Sequence, residues 1–330
     1  MLVRSIAPLA LVLGAALAAD ASFSPGPINK LADGSVAAQA AVKLAFYNIR
    51  SGMGIPGLPG HQSPFSNVRN CTDRSKPVNA WGTGLVQQTL TSAIASDPSI
   101  LALGLAEAWK DVCGSPERVR AVLGWKTASE VRNGVALVAR YGLRDQRWQQ
   151  LDTSRNKAPS DTVWIMRAAV CADPRCRHSL ITYVSHWYGT GPAEQSTYAT
   201  QARQTLDFMR ATSDGRPHVL IGDLNVWTAP GVVCHQTPNG AEALQVLAAA
   251  KYVDAWRAIH GDQKGDTGML NRGGCGEPEG AAWKRIDYAW SPAGYRPLDM
   301  SRFGVVQPGE AAPSDHYGII ATYPLALADD

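Results

Sequence analysis

The sequence lacks most of the features that place a protein at a glance. It has no internal repeat and no low-complexity tract, so its 330 residues, 45% apolar and 18% charged, can bury a full core as one large domain or two. The apolar stretch from Ile6 to Ala18 falls well short of the roughly 20 residues a membrane-spanning helix needs. Net charge is only +3, which neither demands nor excludes a polyanionic partner. Six cysteines are present, but no second closely spaced pair completes a zinc site around Cys171, Cys176 and His178. There is no Gly-x-Ser-x-Gly elbow, and Ser314, Asp315 and His316 are adjacent, so they cannot make a hydrolase relay. Gly52, Gly54 and Gly57 match a dinucleotide-binding spacing, yet Pro56 and Pro59 stand where that fingerprint must open a helix.

What is present begins with an export signal. Arg4 precedes the apolar run, which ends in the small-x-small cleavage site Ala16-Leu17-Ala18. The sequence therefore predicts a signal peptide over 1–18, a loose leader over 19–41 rich in Ala, Ser, Gly and Pro, and a secreted or periplasmic mature chain. In an oxidising compartment an even number of cysteines favours disulfides. Cys171 and Cys176 flank Ala-Asp-Pro-Arg between two strand-like runs, which suits a staple across a hairpin. Cys234 with Cys275 and Cys71 with Cys113 would complete the pairing, one connectivity among many. Asn70-Cys71-Thr72 is a glycosylation sequon that matters only in a eukaryotic secretory host.

Hydrophobic periodicity gives strands at 42–49, 100–105, 134–141, 148–153, 162–170, 180–185, 283–290 and 317–323, with a further strand beginning at His218. Helices are predicted at 85–95, 116–123, around Tyr198 to Met209, and at 241–252. Strands separated by helices and interspersed with hairpins argue a mixed-sheet α/β architecture with helices outside.

The most informative stretch runs from His218 to Val226. Val219, Leu220 and Ile221 read as a buried strand, Gly222 admits another backbone or a ligand, and Asp223 and Asn225 stand at the exit. Residues two apart on an extended chain point the same way, so the carboxylate and the carboxamide can address one volume. Asn48, Glu107, His186, Asp287, Asp315 and His316 also sit where apolar strands begin or end. One such residue is ordinarily a turn former, and a lone histidine a satisfied structural one. The set is different. Carboxylates about 4 Å apart repel by roughly 4 kcal/mol at an effective dielectric of 20, so convergence calls for a cation. Oxygen ligands without cysteine select a hard ion, Mg2+ or Mn2+, with Ca2+ as an alternative, able to grip phosphate oxygens. A histidine beside a carboxylate can take a proton from water. Trp187 and Trp227 flank the region, as stacking surfaces or as core aromatics.

Phe46-Tyr-Asn48-Ile-Arg50, Leu105-Ala-Glu107-Ala-Trp109, Val184-Ser-His186, Ile221-Gly-Asp223-Leu-Asn225, Arg285-Ile-Asp287-Tyr288 and Ser314-Asp315-His316 together resemble the endonuclease/exonuclease/phosphatase superfamily, typified by pancreatic deoxyribonuclease. The resemblance implies a four-layer α/β sandwich, two packed mixed sheets flanked by helices, as a single catalytic domain over 42–326. It implies Glu107, Asn48 and Asp315 as the metal site and His316 oriented by Asp287 as general base. His186 becomes the second histidine, while Asp223 and Asn225 align the nucleophile and hold the phosphate. The expected activity is metal-dependent phosphodiester hydrolysis by direct water attack on nucleic acid, DNA first, by a monomer. Phospholipid or sugar and inositol phosphates are the alternative substrates, and a silent binding protein the alternative class. One departure stands out: Arg132-Asn133 replaces the tyrosine or glutamate usual before the strand at 134–141. Arg132, like Arg50, is then a candidate phosphate contact.

Overall fold

Alternation along the strands puts one apolar face of each of two sheets into a shared interior. In the computed structural model, residues 41–52, 84–110, 113–152, 162–187, 195–228, 240–270, 282–307 and 310–325 are described. The expected signal peptide and nearly all of the leader lie outside them, as do Cys71, Cys234 and Cys275. The described residues belong to one compact unit, 39–330.

The first sheet is built around β1 (Ala41–Asn48), which runs parallel to β2 (Ile100–Ala106) and antiparallel to β14 (Gly318–Pro324). β13 (Asp299–Phe303) closes one edge, and β4 (Ala136–Ala139) with the short β3 (Thr127–Ala128) closes the other. The second sheet has the order β5 (Leu143–Leu151), β6 (Val163–Cys171), β7 (Ser179–His186), β8 (His218–Asp223), β12 (Asp287–Pro292), β9 (Tyr252–Asp254). Here β7 and β8 are parallel and their neighbours antiparallel, so both sheets are mixed, as expected.

Val42, Leu44 and Phe46 of β1 share one buried cluster with Met166, Val184, Ile221 and Ala289 of the second sheet. Each of the larger of these side chains, Val, Leu, Ile, Phe or Met, stabilises the fold by about 1.5–3 kcal/mol when fully buried. The outer face of the first sheet packs on α1 (Leu85–Leu90), a π turn over Thr91–Ala95, and α2 (Pro116–Leu123), through Leu90, Ile94 and Val119. The outer face of the second packs on α3 (Gln195–Thr212) and α4 (Ala241–Ala249), through Tyr198, Met209 and Leu247. Helix, sheet, sheet, helix is the four-layer sandwich the sequence implied.

Three elements differ from the sequence reading. The run at 283–290 is two strands: β11 (Ala282–Lys284) pairs with β10 (Gly268–Leu270) in a separate ribbon, and β12 begins at Asp287. The break falls where the Thr267 hydroxyl accepts the N–H groups of both Ile286 and Asp287, taking them from the ladder. The helix at 241–252 stops at Ala249, because Lys251 turns left-handed at φ 61° and feeds β9. β5 starts at Leu143 and carries a bulge between Arg144 and Arg147, centred on Asp145 at φ 48°. A short helix, α5 (Ala255–His260), escaped prediction although Asp254 caps it by accepting from the N–H groups of Trp256 and Arg257. The Cys171–Cys176 disulfide is present with Cα atoms 4.7 Å apart, and Cys113 is also disulfide-bonded.

Candidate active site

The register of the second sheet sets the site. His186 is opposite Asp223 across β7 and β8, and Asp223 is opposite Asp287 across β8 and β12. Val184, Ile221 and Ala289, each two residues away on the same strands, belong to the core between the sheets. The polar row therefore lies on the inner face, at the rim where the apolar core ends. Carrying the Ile165–Ser185 register one residue further sets Trp164 beside His186, and the Ser185 hydroxyl donates to the Trp164 carbonyl at 3.0 Å. At Gly222 a Cβ would lie 2.2 Å from the Ser185 carbonyl oxygen, so only glycine lets β7 and β8 approach here.

The first sheet answers from across the interior. Asn48, fully buried at the end of β1, donates through Nδ2 to Glu107 Oε1 at 3.1 Å and to Asp223 Oδ2 at 3.0 Å, while its Oδ1 accepts the Arg50 N–H. Glu107 follows β2 in the left-handed region at φ 52°, an unusual place for glutamate. The turn is held by the Glu107 carbonyl, which accepts both the N–H and the hydroxyl of Ser51 at 2.9 Å, and by the Ala108 N–H, which donates to the Gly134 carbonyl. Leading into β14, the Ser314 hydroxyl donates to the Asn48 carbonyl at 2.7 Å and accepts the His316 N–H.

His316 Nδ1 lies 2.9 Å from Asp287 Oδ2, and its Nε2 faces Asp223 Oδ2 at 3.7 Å. His186 Nε2 approaches the same Asp223 oxygen at 3.5 Å. One carboxylate oxygen is thus flanked by two imidazoles and an amide. Asp315 is in an ion pair with Arg50 at 3.3 Å. Asp223, Asp287 and His316 are almost wholly buried, whereas the His186, Asp315 and Arg50 side chains keep 17%, 13% and 17% exposure and line the way in.

Burial pushes the Asp223 carboxyl above its ordinary range, and the nearby Asp287 charge adds to this against the two histidines. Asp315 is likewise raised by burial and by Glu107, against His316 and Arg50. For His316, burial alone would lower the pKa, but Asp287, Asp223 and Asp315 overcome it and lift the imidazole to about 10.

These residues fit a divalent ion. Asp287 Oδ1 is buried without a hydrogen-bond partner, the donors are oxygen and imidazole nitrogen with no thiolate, and the carboxylates repel one another as they stand. Ligand atoms of Asp223, Asp287 and His316 lie within 4.8 Å of one another, and Glu107 and Asn48 adjoin them.

All ten sequence-predicted residues can be located, though not all as expected. Asn48, Glu107, His186, Asp223, Asp287, Asp315 and His316 gather at one rim. Asn225 is close, but not by the extended-chain argument: β8 ends at Asp223, and Asn225 is left-handed at φ 53°. Asp223 Oδ1 accepts the Asn225 N–H, and the Asn225 carboxamide donates to the Trp187 carbonyl at 2.8 Å. Arg50 turns to Asp315. Arg132 stacks over Trp164 and Trp148, 4.8 and 5.4 Å from the ring centroids, next to the His186 end of the row, with its side chain 40% exposed. Trp187 and Trp227 are buried, so they are core aromatics. Among the described residues the exposed tryptophan is Trp109, two residues past Glu107, at 40%. Sequence reasoning missed Ser314 and Thr267 as anchors of His316 and Asp287; Ser314 stood inside a recognised motif, while Thr267 gave no signal.

Fold and site together define a phosphoesterase scaffold with a carboxylate and imidazole centre. The sequence profile of the Endonuclease/Exonuclease/phosphatase family matches residues 48–316, and the chain belongs to that family, whose members are phosphoric ester hydrolases using divalent metals. Among solved structures it resembles an endonuclease/exonuclease/phosphatase from Bacteroides vulgatus, at TM-score 0.58 and 15% identity over 87% of this chain and all of that one. It also resembles a mannosyl-6-phosphatase from Bacteroides thetaiotaomicron, at TM-score 0.54 and 15% identity over 85% and 98% of the two chains. TDP2 from D. rerio, solved with a single-strand DNA product, aligns at TM-score 0.55 and 14% identity over 86% and 99%. No curated protein matches the chain.

Proposed function

We propose that this protein is a secreted or periplasmic, monomeric phosphodiesterase that hydrolyses nucleic acid, DNA first, with Mg2+ or Mn2+. The observation that carries the reading is Asp223 Oδ2, set between Nε2 of His186 at 3.5 Å and Nε2 of His316 at 3.7 Å, with Asn48 Nδ2 at 3.0 Å. A water held at Asp223 between these groups gives its proton to His316 Nε2, whose ring Asp287 fixes from the other side. Its oxygen attacks phosphorus, the ester bond breaks, and His186 stands where it can protonate the departing alkoxide. Asn225 and Arg50 hold phosphate oxygens. Glu107, Asn48 and Asp315 would hold a divalent ion, which would supply positive charge to the phosphate.

Arg132 favours a polyanion over a small monoester. Its guanidinium is pre-stacked on Trp148 and Trp164 on the His186 side, where a flanking phosphate of a polymer would pass. Among the described residues no helix is long and apolar enough to cross a membrane. Plasmid nicking, hydrolysis of sphingomyelin vesicles and phosphate release from sugar monophosphates, run in parallel with Mg2+ and with chelator, test the reading. Nicking that chelator abolishes is expected; an intact plasmid beside hydrolysed lipid or sugar phosphate would overturn the nucleic-acid assignment.

A further inference from the structure

We propose that the Lys284 ammonium is a phosphate-contacting cation of this site, delivered by the β10–β11 ribbon on the His316 side. The inference rests on the phosphodiesterase reading and adds a residue to it.

A lysine on a two-stranded ribbon normally reaches into water, yet Lys284 is only 9% exposed. Burying an ammonium costs several kcal/mol unless opposite charge offsets it. Two separate threads of chain bring it here. From one side, Gly268 pairs with Lys284 within the ribbon and also bridges to His316, while the Thr267 N–H donates to the Lys284 carbonyl at 2.9 Å. The ribbon lies directly on the imidazole, since a Cβ at Gly268 would be 3.2 Å from His316 Cε1. The same Thr267 anchors Asp287 through its hydroxyl and accepts the Tyr317 N–H, so the ribbon is fastened to both members of the His316–Asp287 pair. From the other side comes Trp227, two residues past Asn225, whose ring lies 4.5 Å from Lys284 Nζ.

The ammonium feels the charges of Asp223, Asp315 and Asp287, which oppose the lowering of its pKa by burial. Arg50 already pairs with Asp315. A compact ammonium on a flexible stem, held over an aromatic face beside the reaction centre, suits a single phosphate oxygen better than it suits a planar carboxylate. A residue that only balanced the carboxylates would act on the metal and on stability; one that touches phosphate acts on substrate.

The opposite signs of those effects make the test. Using the full-length protein with Mg2+, binding of inorganic phosphate is measured by calorimetry, and KM and kcat with bis-p-nitrophenyl phosphate, for wild type, Lys284→Met and Lys284→Arg. Lys284→Met is expected to weaken phosphate binding and raise KM at least tenfold, to leave Mg2+ binding as tight or tighter, and Lys284→Arg to recover part of the loss. Should Lys284→Met fail to fold, Lys284→Gln supplies the same readouts. Unchanged phosphate binding in either neutral variant, or loss of Mg2+ affinity in step with phosphate, would overturn the proposal. If wild type bound phosphate yet cleaved no diester, the reading of function would fall while the phosphate data still judged Lys284.

Discussion

Asp223 shows how much one side chain can organise. Its Oδ2 meets Asn48, His186 and His316, its Oδ1 accepts the Asn225 N–H, and its carbonyl accepts the Trp187 N–H. Not every buried histidine shares this role. His218 lies between the Arg216 carbonyl and the Tyr252 hydroxyl, at 2.7 and 2.6 Å, and burial holds its pKa below the ordinary 6.5. Below that pH the unfolded chain binds a proton that the folded protein resists. The residue's contribution to stability is therefore present above the unfolded pKa and lost as pH falls. We expect His218→Gln to flatten the fall in melting temperature between about pH 7 and pH 5; a wild-type slope in that variant would remove His218 from the acid response.

At the scale of elements, the site depends on how closely parallel strands β7 and β8 approach. Gly222→Ala would drive a methyl into the Ser185 carbonyl, 2.2 Å away, just before His186 faces Asp223. The expected cost is about 1–3 kcal/mol of stability, read by denaturant titration, with kcat falling further than stability explains; a variant with wild-type melting and rate would contradict the packing argument. This strand was legible in the sequence because an uninterrupted apolar run ending in Asp223 has few other readings. Asn48, Glu107 and His186 were legible for the same reason, each being the polar end of a strand whose apolar body is fixed by burial. The split at Arg285–Ile286 was not, because it comes from the Thr267 hydroxyl, distant in sequence. Nor was the burial of Lys284, which depends on a ribbon folding over His316. The left-handed Asn225 defeated a period-two argument that holds only while the chain stays extended.

For the whole molecule, the two sheets work as jaws that bring carboxylates together where the core gives way to solvent. Asn48 spans them, joining Glu107 to Asp223. A protein arranged this way gains stability from a cation that binds only when folded, by about 2.7 kcal/mol at a hundredfold excess over Kd. Mg2+ should therefore raise the melting temperature and chelator lower it, and Glu107→Ala should erase most of the difference. A metal-independent melt would mean that the jaws hold no ion.

The most direct test of the central claim is the turnover of bis-p-nitrophenyl phosphate by wild type and His316→Ala in Mg2+, with and without chelator. The account predicts turnover by wild type that chelator abolishes, and a loss of roughly 10²–10⁴-fold in kcat for His316→Ala in a protein that remains folded. Hydrolysis indifferent to chelator, or a folded His316→Ala variant as fast as wild type, would contradict it.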